Sequence, residues 1–459
     1  MREWSAMIPP PVEAISRPSK KLGYSFGRRF FLVLLMGLAW LVPAFVDRRF
    51  AYAMVGWDLL LLLGWVADLL ALPRPVRLRV RRSWSAPLSL SVESQVEITV
   101  SNQSTYALHV LVTDYVAPAL RSEPTVVEVT VPAGGDATAT YTVQPHKRGP
   151  VAVGKCYLCY QSTMRLAERW AITELAQEVT VYPDLRDARR HAMFLMRSRQ
   201  IELEKRFSRV RGAGHAFESL REYRDGDDFG DICWTATARR GKLVTRLYEP
   251  EKSQTVWIVL DTGRLMRTRV ASLSKLDHAV NAALALGQMA LLTGDRVGLL
   301  AYTRTIQRRI PAARGKAQLR QLLEALAVVR EDGSEADHLQ AVSRLMRDQK
   351  RRSFIVWITD LAETAMTPEV IEAASALLSR HLVLFVVIGQ PDLEHAAAQR
   401  PSNVAEMYEI SAAQEVIHRR ELLLARLRER GALAVEVESA DLAPLLVHSY
   451  LEVKQRSQL

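Results

Sequence analysis

Cysteine is scarce in this chain of 459 residues, which contains three. Three thiols cannot form the disulfide framework of a small secreted domain, so the sequence favours a reducing compartment. The chain also lacks a basic stripe interleaved with stacking aromatic residues, although its net charge is +11. Nucleic acid is therefore a poor candidate partner, and a membrane surface explains the basic excess better.

Two apolar runs stand near the amino end, at residues 30–46 (FFLVLLMGLAWLVPAFV) and 50–72 (FAYAMVGWDLLLLLGWVADLLAL). Their lengths predict a transmembrane helical hairpin over residues 28–73, after a disordered cytoplasmic tail over 1–27. No small-residue cleavage site follows the first run, which argues against a signal peptide, and two buried core helices are the alternative. Basic residues flank both outer ends of the hairpin, which predicts two spans in the cell inner (cytoplasmic) membrane with both termini and the bulk of the chain in the cytoplasm.

Two carboxylates, Asp58 and Asp68, fall within the second run. A carboxylate within a span is costly and suggests a polar contact or a functional role. A structural interpretation is favoured, because a lone aspartate makes no proton path. It places Asp68 at the interface and predicts that Asp58 hydrogen-bonds across the hairpin.

Residues 76–183 alternate polar and apolar positions, are rich in Val and Thr, and are divided by Pro, Gly, Asn and Asp. This pattern predicts an antiparallel β-sandwich, with an immunoglobulin-like module as the expected form. Cys156 and Cys159 form a lone C-x-x-C in this region. Without a second pair or a suitably spaced His, two strand cysteines are favoured over a zinc or redox site.

Residues 184–252 hold a basic helical connector (184–210) and then a segment dense in charge, aromatics and glycine. From 253 to 459, continuous Val/Ile/Leu strands alternate with amphipathic helices, which predicts a doubly wound, Rossmann-type α/β domain. Ser274 and Asp277 are spaced for a helix-capping box.

Two of the predicted strands end on an acid, at Asp261 and Asp360. The carboxyl edge of such a sheet binds ligands, and paired carboxylates there suit a hard cation such as Mg²⁺. The alternative is that both acids cap the loops and helices that follow them.

A strand ending in Asp261 and a later one ending in Thr359-Asp360 resemble the von Willebrand factor A domain. That family binds metal through an Asp-x-Ser-x-Ser loop, a Thr and a second Asp. Here Asp261 and Asp360 match and Ser334 could replace the Thr. Both loop serines are replaced, by Gly263 and Leu265, so the resemblance implies a degenerate metal site.

The segment 211–251 resembles the signature of the domain of unknown function 58 family. That family combines two amino-terminal spans, a β-rich module and a von Willebrand A-like domain. The chain departs from the signature at Gly230 and Cys233, where the family has Arg and Asp. An ion-paired brace against the α/β domain is favoured over a binding role for the charged positions. The positions that match the signature, and that could form the brace or bind a partner, are Arg221, Glu222, Tyr223, Gly226, Asp227, Asp228, Trp234 and Arg239. Arg224 is a further charged residue of the predicted brace.

The resemblance implies a membrane-anchored scaffold, without enzymatic activity, whose von Willebrand A-like domain binds proteins. Relatives of this family are associated with MoxR-type AAA+ ATPases in chaperone or complex-maturation roles, and such an ATPase is the implied partner. A metal-dependent adhesion module is one alternative. A thiol-dependent hydrolase using Cys233 and His215 is another, although nothing in the sequence provides an orienting third group. The Arg-Gly-x-Gly at 211–214 lacks the Lys-Ser/Thr of a phosphate loop.

Overall fold

The computed structural model describes residues 7–19, 23–121, 123–184, 216–223, 232–249, 254–360 and 368–455. The chain divides into two compact units, Met1–Tyr182 and Pro183–Leu459. The predicted helical connector lies outside the described residues from position 185 onward.

The two apolar runs form a helical hairpin in the first unit. Helix α1 (Arg28–Gly37) continues through a 3₁₀ turn (Leu38–Trp40) into α2 (Leu41–Ala44), and both pack against α3 (Arg49–Ala71). Among the described helices, α3 alone is long and apolar enough to cross a membrane, with a mean hydropathy of 1.7. Membrane crossing by the hairpin, and its two spans, therefore stay a prediction.

Close packing within the hairpin depends on Gly37 and Trp57. A Cβ atom at Gly37 would lie 2.7 Å from the Trp57 ring, so only glycine lets the helices approach this closely. The Trp57 indole N–H donates to Val33 O at 3.1 Å. Among the described residues, the side-chain hydrogen bond between the two helices comes from Trp57 and not, as predicted, from Asp58. Asp58 is half-buried beside Gly37.

The β module consists of two larger antiparallel sheets and one two-stranded antiparallel pair around one core. Inward positions of its strands are buried and outward positions exposed, as the alternating sequence predicts. The β-sandwich is thus observed, while its immunoglobulin-like character stays a prediction. The strands are β1 (Val12–Ile15), β2 (Arg17–Pro18), β3 (Tyr24–Phe26), β4 (Leu78–Trp84), β5 (Ser94–Asn102), β6 (Leu108–Asp114), β7 (Thr125–Val131), β8 (Asp136–Val143), β9 (Gly149–Val153), β10 (Cys156–Gln161), β11 (Ala167–Thr173) and β12 (Gln177–Val181), ordered β1-β4-β5-β8 and β2-β11-β10-β6-β7, with β3 also on β11 and β9 paired with β12.

The amino-terminal tail is part of this sandwich. Strand β1 pairs with β4, where Val12 lies opposite Arg82, and β2 and β3 both pair with β11. The expected disorder of residues 1–27 is therefore wrong for 7–19 and 23–27. These strands have two to four residues each, and backbone pairing with strands far along the chain orders them. Local composition does not encode such a contact.

A buried ion pair joins the two sheets. The Arg82 Nε–H donates to Asp114 Oδ2 at 2.9 Å, the Tyr141 hydroxyl donates to the same oxygen at 2.6 Å, and neither Arg82 nor Asp114 is exposed. Satisfying both charges internally avoids the large penalty of an unpaired buried ion. Sequence reasoning missed this pair, because its members lie 32 residues apart on different strands.

The α/β part of the second unit has a six-stranded mixed sheet in the order β19 (Ile306–Ala313), β18 (Arg296–Tyr302), β15 (Thr255–Asp261), β20 (Phe354–Thr359), β21 (Leu382–Ile388) and β22 (Leu433–Val437). The edge strand β19 is antiparallel to β18, and the other pairs are parallel. Helices cover both faces: Ile258 faces Gly287 on one side, and Trp257 belongs to a core cluster with Leu423 on the other. Two further strands, β16 (Arg269–Val270) and β17 (Leu273–Ser274), form a separate antiparallel pair. The helices are α5 (Lys275–Leu292), α6 (Gly315–Val328), α7 (His338–Asp348), α8 (Pro368–Leu378), α9 (Pro391–Ala398), α10 (Val404–Glu429) and α11 (Leu442–Gln455).

The charged segment before the α/β sheet contains an antiparallel pair and a short helix. Strand β13 (Ala216–Glu222) pairs with β14 (Val244–Glu249), and α4 (Trp234–Arg240) precedes β14. Gly241 ends α4 with φ of +65°, a left-handed conformation that glycine adopts without strain.

Candidate functional site

The two predicted acids meet at the switch point of the α/β sheet. Asp261 is the last residue of β15, Asp360 directly follows β20, and these strands are adjacent and parallel. In chain order the strands run 3-2-1-4-5-6, so the order reverses between β15 and β20. Ligands bind open α/β sheets at this crevice, which makes it the candidate site.

Asp261 is held by the backbone and side chain of its neighbours. Its Oδ1 accepts from the Gly263 N–H at 2.7 Å, and its Oδ2 accepts from the Thr359 hydroxyl at 2.7 Å. Burial raises the pKa of Asp261 to about 6, and these two hydrogen bonds oppose the rise while Asp360 adds to it. This carboxylate therefore has both oxygens engaged inside the protein.

Asp360 is paired with an internal cation. The Lys275 ammonium donates to Asp360 Oδ2 at 2.6 Å, with the two side chains 0% and 3% exposed. Arg420 lies 3.6 Å from Asp360 Oδ1 and forms a second ion pair with Glu436. Lys275 is the first residue of α5, which begins with the predicted capping box of Ser274 and Asp277. That cap fixes the helix start and so directs Lys275 toward Asp360.

Ser334 is brought to the site through its backbone. Its carbonyl oxygen accepts from the Arg264 N–H at 3.0 Å, and its own N–H donates to Asp332 Oδ1 at 3.0 Å. The Asp332 N–H donates to Thr262 O at 2.9 Å. The loops after β15 and before α7 are thereby joined, and the Ser334 carbonyl oxygen lies beside Gly263. The role of the Ser334 hydroxyl as a replacement for the metal-binding Thr stays a prediction.

The donor set does not fit a divalent cation. Metal sites of this kind need several free oxygen ligands, whereas the oxygens of Asp261 are engaged and Lys275 places a positive charge against Asp360. Gly263 and Leu265 offer no side-chain oxygen. Within the described ranges, no group of three or more His, Cys, Asp or Glu residues is arranged to hold a metal.

Lys275 and Arg420 are site residues that sequence reasoning missed. Lys275 is one of the few charges in a helix whose side chains are mostly buried, and that contrast was an available signal. Arg420 sits in a charged stretch of α10 and had no comparable signal. The three residues Lys275, Asp360 and Arg420 are separated by 60 residues or more, so only the fold shows that they meet.

The predicted signature positions are partly described. Glu222 forms an ion pair with Lys242 at 3.2 Å, with both side chains more than two-thirds exposed. Tyr223 is half-buried, and Trp234 and Arg239 are exposed, with 66% of Trp234 accessible. Gly226, Asp227, Asp228 and Arg224 lie outside the described residues, as does the side chain of Arg221. An exposed pair contributes little stability, so the brace against the α/β domain stays a prediction.

The three cysteines are free thiols, and Cys156 and Cys233 are buried. Cys156 and Cys159 are free, and because they are three residues apart in one strand they point to opposite faces. Burial raises the pKa of Cys159 to about 12, and Glu168 adds to the rise. Cys233 is buried with its Sγ 3.4 Å from Thr235 Oγ1, and its proposed partner His215 lies outside the described residues.

Comparisons with known proteins point to a family without an assigned function. Residues 219–396 match the family model described as "Protein of unknown function DUF58". Uncharacterized proteins of Mycobacterium bovis and Mycobacterium tuberculosis are 27% identical over 184 residues, which is 40% of this chain and 57% of theirs. Uncharacterized protein YeaD of Bacillus subtilis is 24% identical over 131 residues, 28% of this chain and 29% of its own. The chain thus spans less than two thirds of each of these relatives.

Similar solved structures include a conserved hypothetical protein, BatB, from Bacteroides thetaiotaomicron. It aligns over 44% of this chain and 100% of its own at 15% identity, with a TM-score of 0.31. Proximal thread matrix protein 1 from the mussel byssus aligns over 43% of this chain and 46% of its own at 10% identity, with a TM-score of 0.27. Scores this low do not establish a shared fold.

Proposed function

We propose that this chain, which belongs to the DUF58 family through residues 219–396, is a membrane-anchored adaptor that binds a protein partner and has no catalytic role. The helical hairpin is the anchor. The carboxyl edge of the α/β sheet is the partner-binding surface, and a MoxR-type AAA+ ATPase is the partner that the family resemblance implies.

The observation that carries this proposal is that both acids at the carboxyl edge of the sheet already have partners within the protein. Asp261 and Asp360 are satisfied internally, by Thr359 and Gly263 and by Lys275. An enzyme needs a group free to exchange protons or attack a substrate, and both acids at this switch point are already engaged. A rigid, internally neutralised edge suits recognition better than chemistry.

The rim of the edge is polar and accessible. Arg264 and Glu335 stand on the two joined loops, 3.5 Å apart, with side chains 47% and 79% exposed. Rim charges of this kind steer association and suppress wrong partners, while they contribute little to the stability of the fold. The loops after β15 and before α7 are therefore the surface on which we expect the partner to dock.

Strand pairing supports a two-span anchor. Strand β1 precedes the hairpin and β4 follows it, and these strands are hydrogen-bonded neighbours. If α3 alone crossed the membrane, β1 and β4 would lie on opposite sides and could not pair. Either both helical arms cross or neither does, and large side chains on the arms are exposed, including Phe31, Leu35 and Leu60. Apolar side chains left uncovered by protein favour crossing by both.

Site-specific photocrosslinking in membranes tests the proposed surface. A photoreactive residue replaces Glu335 on the rim, and a matched one replaces Lys147, an exposed residue of the β module. Under ATP-trapping conditions, the first position should crosslink an AAA+ ATPase and the second should not. Equal capture at both positions would contradict the assigned surface, and absence of any ATPase from the purified full-length complex would contradict the assigned partner.

A further inference from the structure

The base of the hairpin carries an unusual concentration of donors. We use the name base cluster for Trp65, Arg29, Arg165 and Arg169. The loop between β10 and β11, residues 162–166, is joined by hydrogen bonds to the start of α1 and to the end of α3, and the four residues lie on or next to these three segments.

Asp68 fixes the loop to the end of α3. Its carboxylate accepts from the Ser162 hydroxyl, from the Leu166 N–H at 3.0 Å and from the Ala167 N–H at 2.8 Å. Asp68 is 3% exposed. The acid that the sequence places at the membrane interface therefore has its hydrogen bonds within the protein. The Gly27 N–H donates to Leu166 O at 2.7 Å and fixes the other side of the loop to the start of α1.

Three donor groups of the base cluster have no hydrogen-bond acceptor. The Nε–H groups of Arg165 and Arg169 and the indole N–H of Trp65 are buried and have no hydrogen-bond partner. Buried donors in native proteins are usually satisfied, so a ligand that provides acceptors could satisfy these three. Arg169 also donates to Leu69 O at 3.1 Å through its other nitrogen, which holds the side chain in position.

The backbone of Arg165 is strained. Its φ of +58° is in the left-handed region, which a long side chain occupies at a cost. A glycine would relieve that cost, so the arginine side chain at this position indicates a function. Gly27 makes the site possible, because a Cβ there would lie 2.3 Å from Arg165 O.

The electrostatic field at the base cluster is positive. Partial burial lowers the pKa of His109, and the charges of Arg165 and Arg29 lower it further while Glu128 opposes them. Glu168 is the nearest acid on β11, and it accepts from Gln161 and Cys159. Among the described residues, no salt bridge includes Arg29, Arg165 or Arg169, although Arg29 donates to the carbonyl oxygens of Thr163 and Met164 at 3.5 Å. These three charges therefore have no protein carboxylate as a counterion.

Aromatic side chains surround the cluster on its apolar side. The Trp65 ring centroid lies 4.5 Å from that of Phe26 and 6.1 Å from that of Tyr24, and Phe26 lies 4.4 Å from Phe30. Aromatic belts mark the boundary between headgroups and hydrocarbon. From Trp65 to Arg49, α3 is about 24 Å long, close to the hydrocarbon thickness of a bilayer, which puts the cluster at headgroup depth.

We propose that the base cluster binds the phosphate of an anionic phospholipid headgroup. Arg29 and Arg165 neutralise its charge, Arg169 and Trp65 donate hydrogen bonds, and the aromatic belt receives the acyl chains. This inference rests on the membrane anchor of the proposed function. A headgroup site would give the anchor a preference for anionic lipids and a fixed depth in the membrane. Positive charge next to the apolar helices does not by itself give either property.

Native mass spectrometry of the full-length chain, released from nanodiscs of equal phosphatidylglycerol and phosphatidylcholine, tests the site. The wild type should retain phosphatidylglycerol preferentially. The double variant Arg29→Gln/Arg165→Gln should lose affinity by about fivefold for each arginine. Lys147→Gln/Lys155→Gln removes the same charge from exposed positions outside the cluster and should retain the wild-type preference.

Arg165→Gly separates binding from folding. Glycine fits a φ of +58°, so this variant should melt at or above the wild-type temperature and still lose the lipid preference. Equal retention of both lipids by the wild type would overturn the proposal, and so would an unchanged preference in Arg165→Gly. Loss of the bound lipid on adding millimolar inorganic phosphate would show that the site takes free phosphate instead of a headgroup.

Alkaline carbonate extraction tests the membrane anchor separately from the lipid site. A wild-type chain that stays in the membrane pellet but shows no lipid preference would remove the lipid site and leave the anchor. A chain that is extracted would remove both.

Discussion

Lys275 Nζ lies 2.6 Å from Asp360 Oδ2, and both side chains are almost completely buried. A protein ammonium thus stands against one of the two acids to which the family resemblance assigns a metal. The switch point of the sheet keeps its carboxylates but neutralises Asp360 with a cation that the chain itself provides. This relationship decides how the site behaves toward mutation, pH and metal ions.

Lys275→Met should destabilise the α/β domain by about 3–5 kcal/mol, because it leaves Asp360 buried without its close partner. The measurement is urea unfolding of the purified chain. Lys275→Met/Asp360→Asn should cost less than the single variant, since the unpaired buried carboxylate is gone and the buried Arg420 keeps its ion pair with Glu436. Arg320→Met removes an exposed pair with Glu324 and serves as the control, with an expected cost below about 1 kcal/mol. A single variant as stable as this control would contradict the role given to the pair.

Asp261 should make the protein less stable as pH rises. Its pKa is about 6 in the folded state and 3.8 in the unfolded chain, so between these values the unfolded chain has released its proton and the folded chain has not. Stability therefore falls as pH rises from about 4 to about 6, by up to about 3 kcal/mol. Asp261→Asn should lack this slope, which unfolding curves of both proteins across the window will measure. Parallel curves would rule out a perturbed Asp261.

His338 should have the opposite dependence. Burial lowers the pKa of His338 to about 4, and its Nδ1 accepts from the Tyr302 hydroxyl at 2.8 Å. The unfolded chain takes up a proton near pH 6.5 while the folded one stays neutral, so stability is lost as pH falls from about 6.5 to about 4. His338→Asn keeps an acceptor near the Nδ1 position and should remove the slope. A retained acid slope in this variant would assign it to other groups.

Divalent cations should leave the protein unchanged. Isothermal titration of the full-length chain with millimolar Mg²⁺ or Mn²⁺ should give no binding heat, because Asp261 and Asp360 have their oxygens engaged. A bound metal at 100 times its Kd would add about 2.7 kcal/mol of stability, so thermal unfolding with and without metal is a second measurement. Saturable heat that disappears in Asp360→Asn would restore the metal-dependent alternative.

The hairpin tip should be reachable from outside the cell. In a background without native cysteines, Arg48→Cys should react with an impermeant maleimide on intact cells, whereas Lys147→Cys should react only after lysis. The reason is that β1 and β4 pair across the hairpin, which puts both of its ends on one side. Protection of both positions on intact cells, with both labelled after lysis, would mean that the arms do not cross. Labelling of Lys147→Cys on intact cells would reverse the orientation.

Long periodic segments were predictable because their signal is local. The continuous apolar strands ending at Asp261 and Thr359, and the Ser274–Asp277 capping box, are where the sequence puts them. The alternation in residues 76–183 likewise predicted the antiparallel sandwich. The short strands at Val12–Ile15 and Tyr24–Phe26 were not predictable, because four and three residues carry no period and depend on distant partners.

The sequence by itself determined the classes of structure in this protein: an apolar hairpin, an alternating β module, and an α/β domain with two acids at one edge of its sheet. Each follows from periodicity, which neighbouring residues set. Only the tertiary structure decided what those acids do, because Lys275 and Asp360 are 85 residues apart and meet through the winding of the sheet. It likewise decided that the carboxylate of Asp68 accepts hydrogen bonds from a loop 94 residues or more away along the chain.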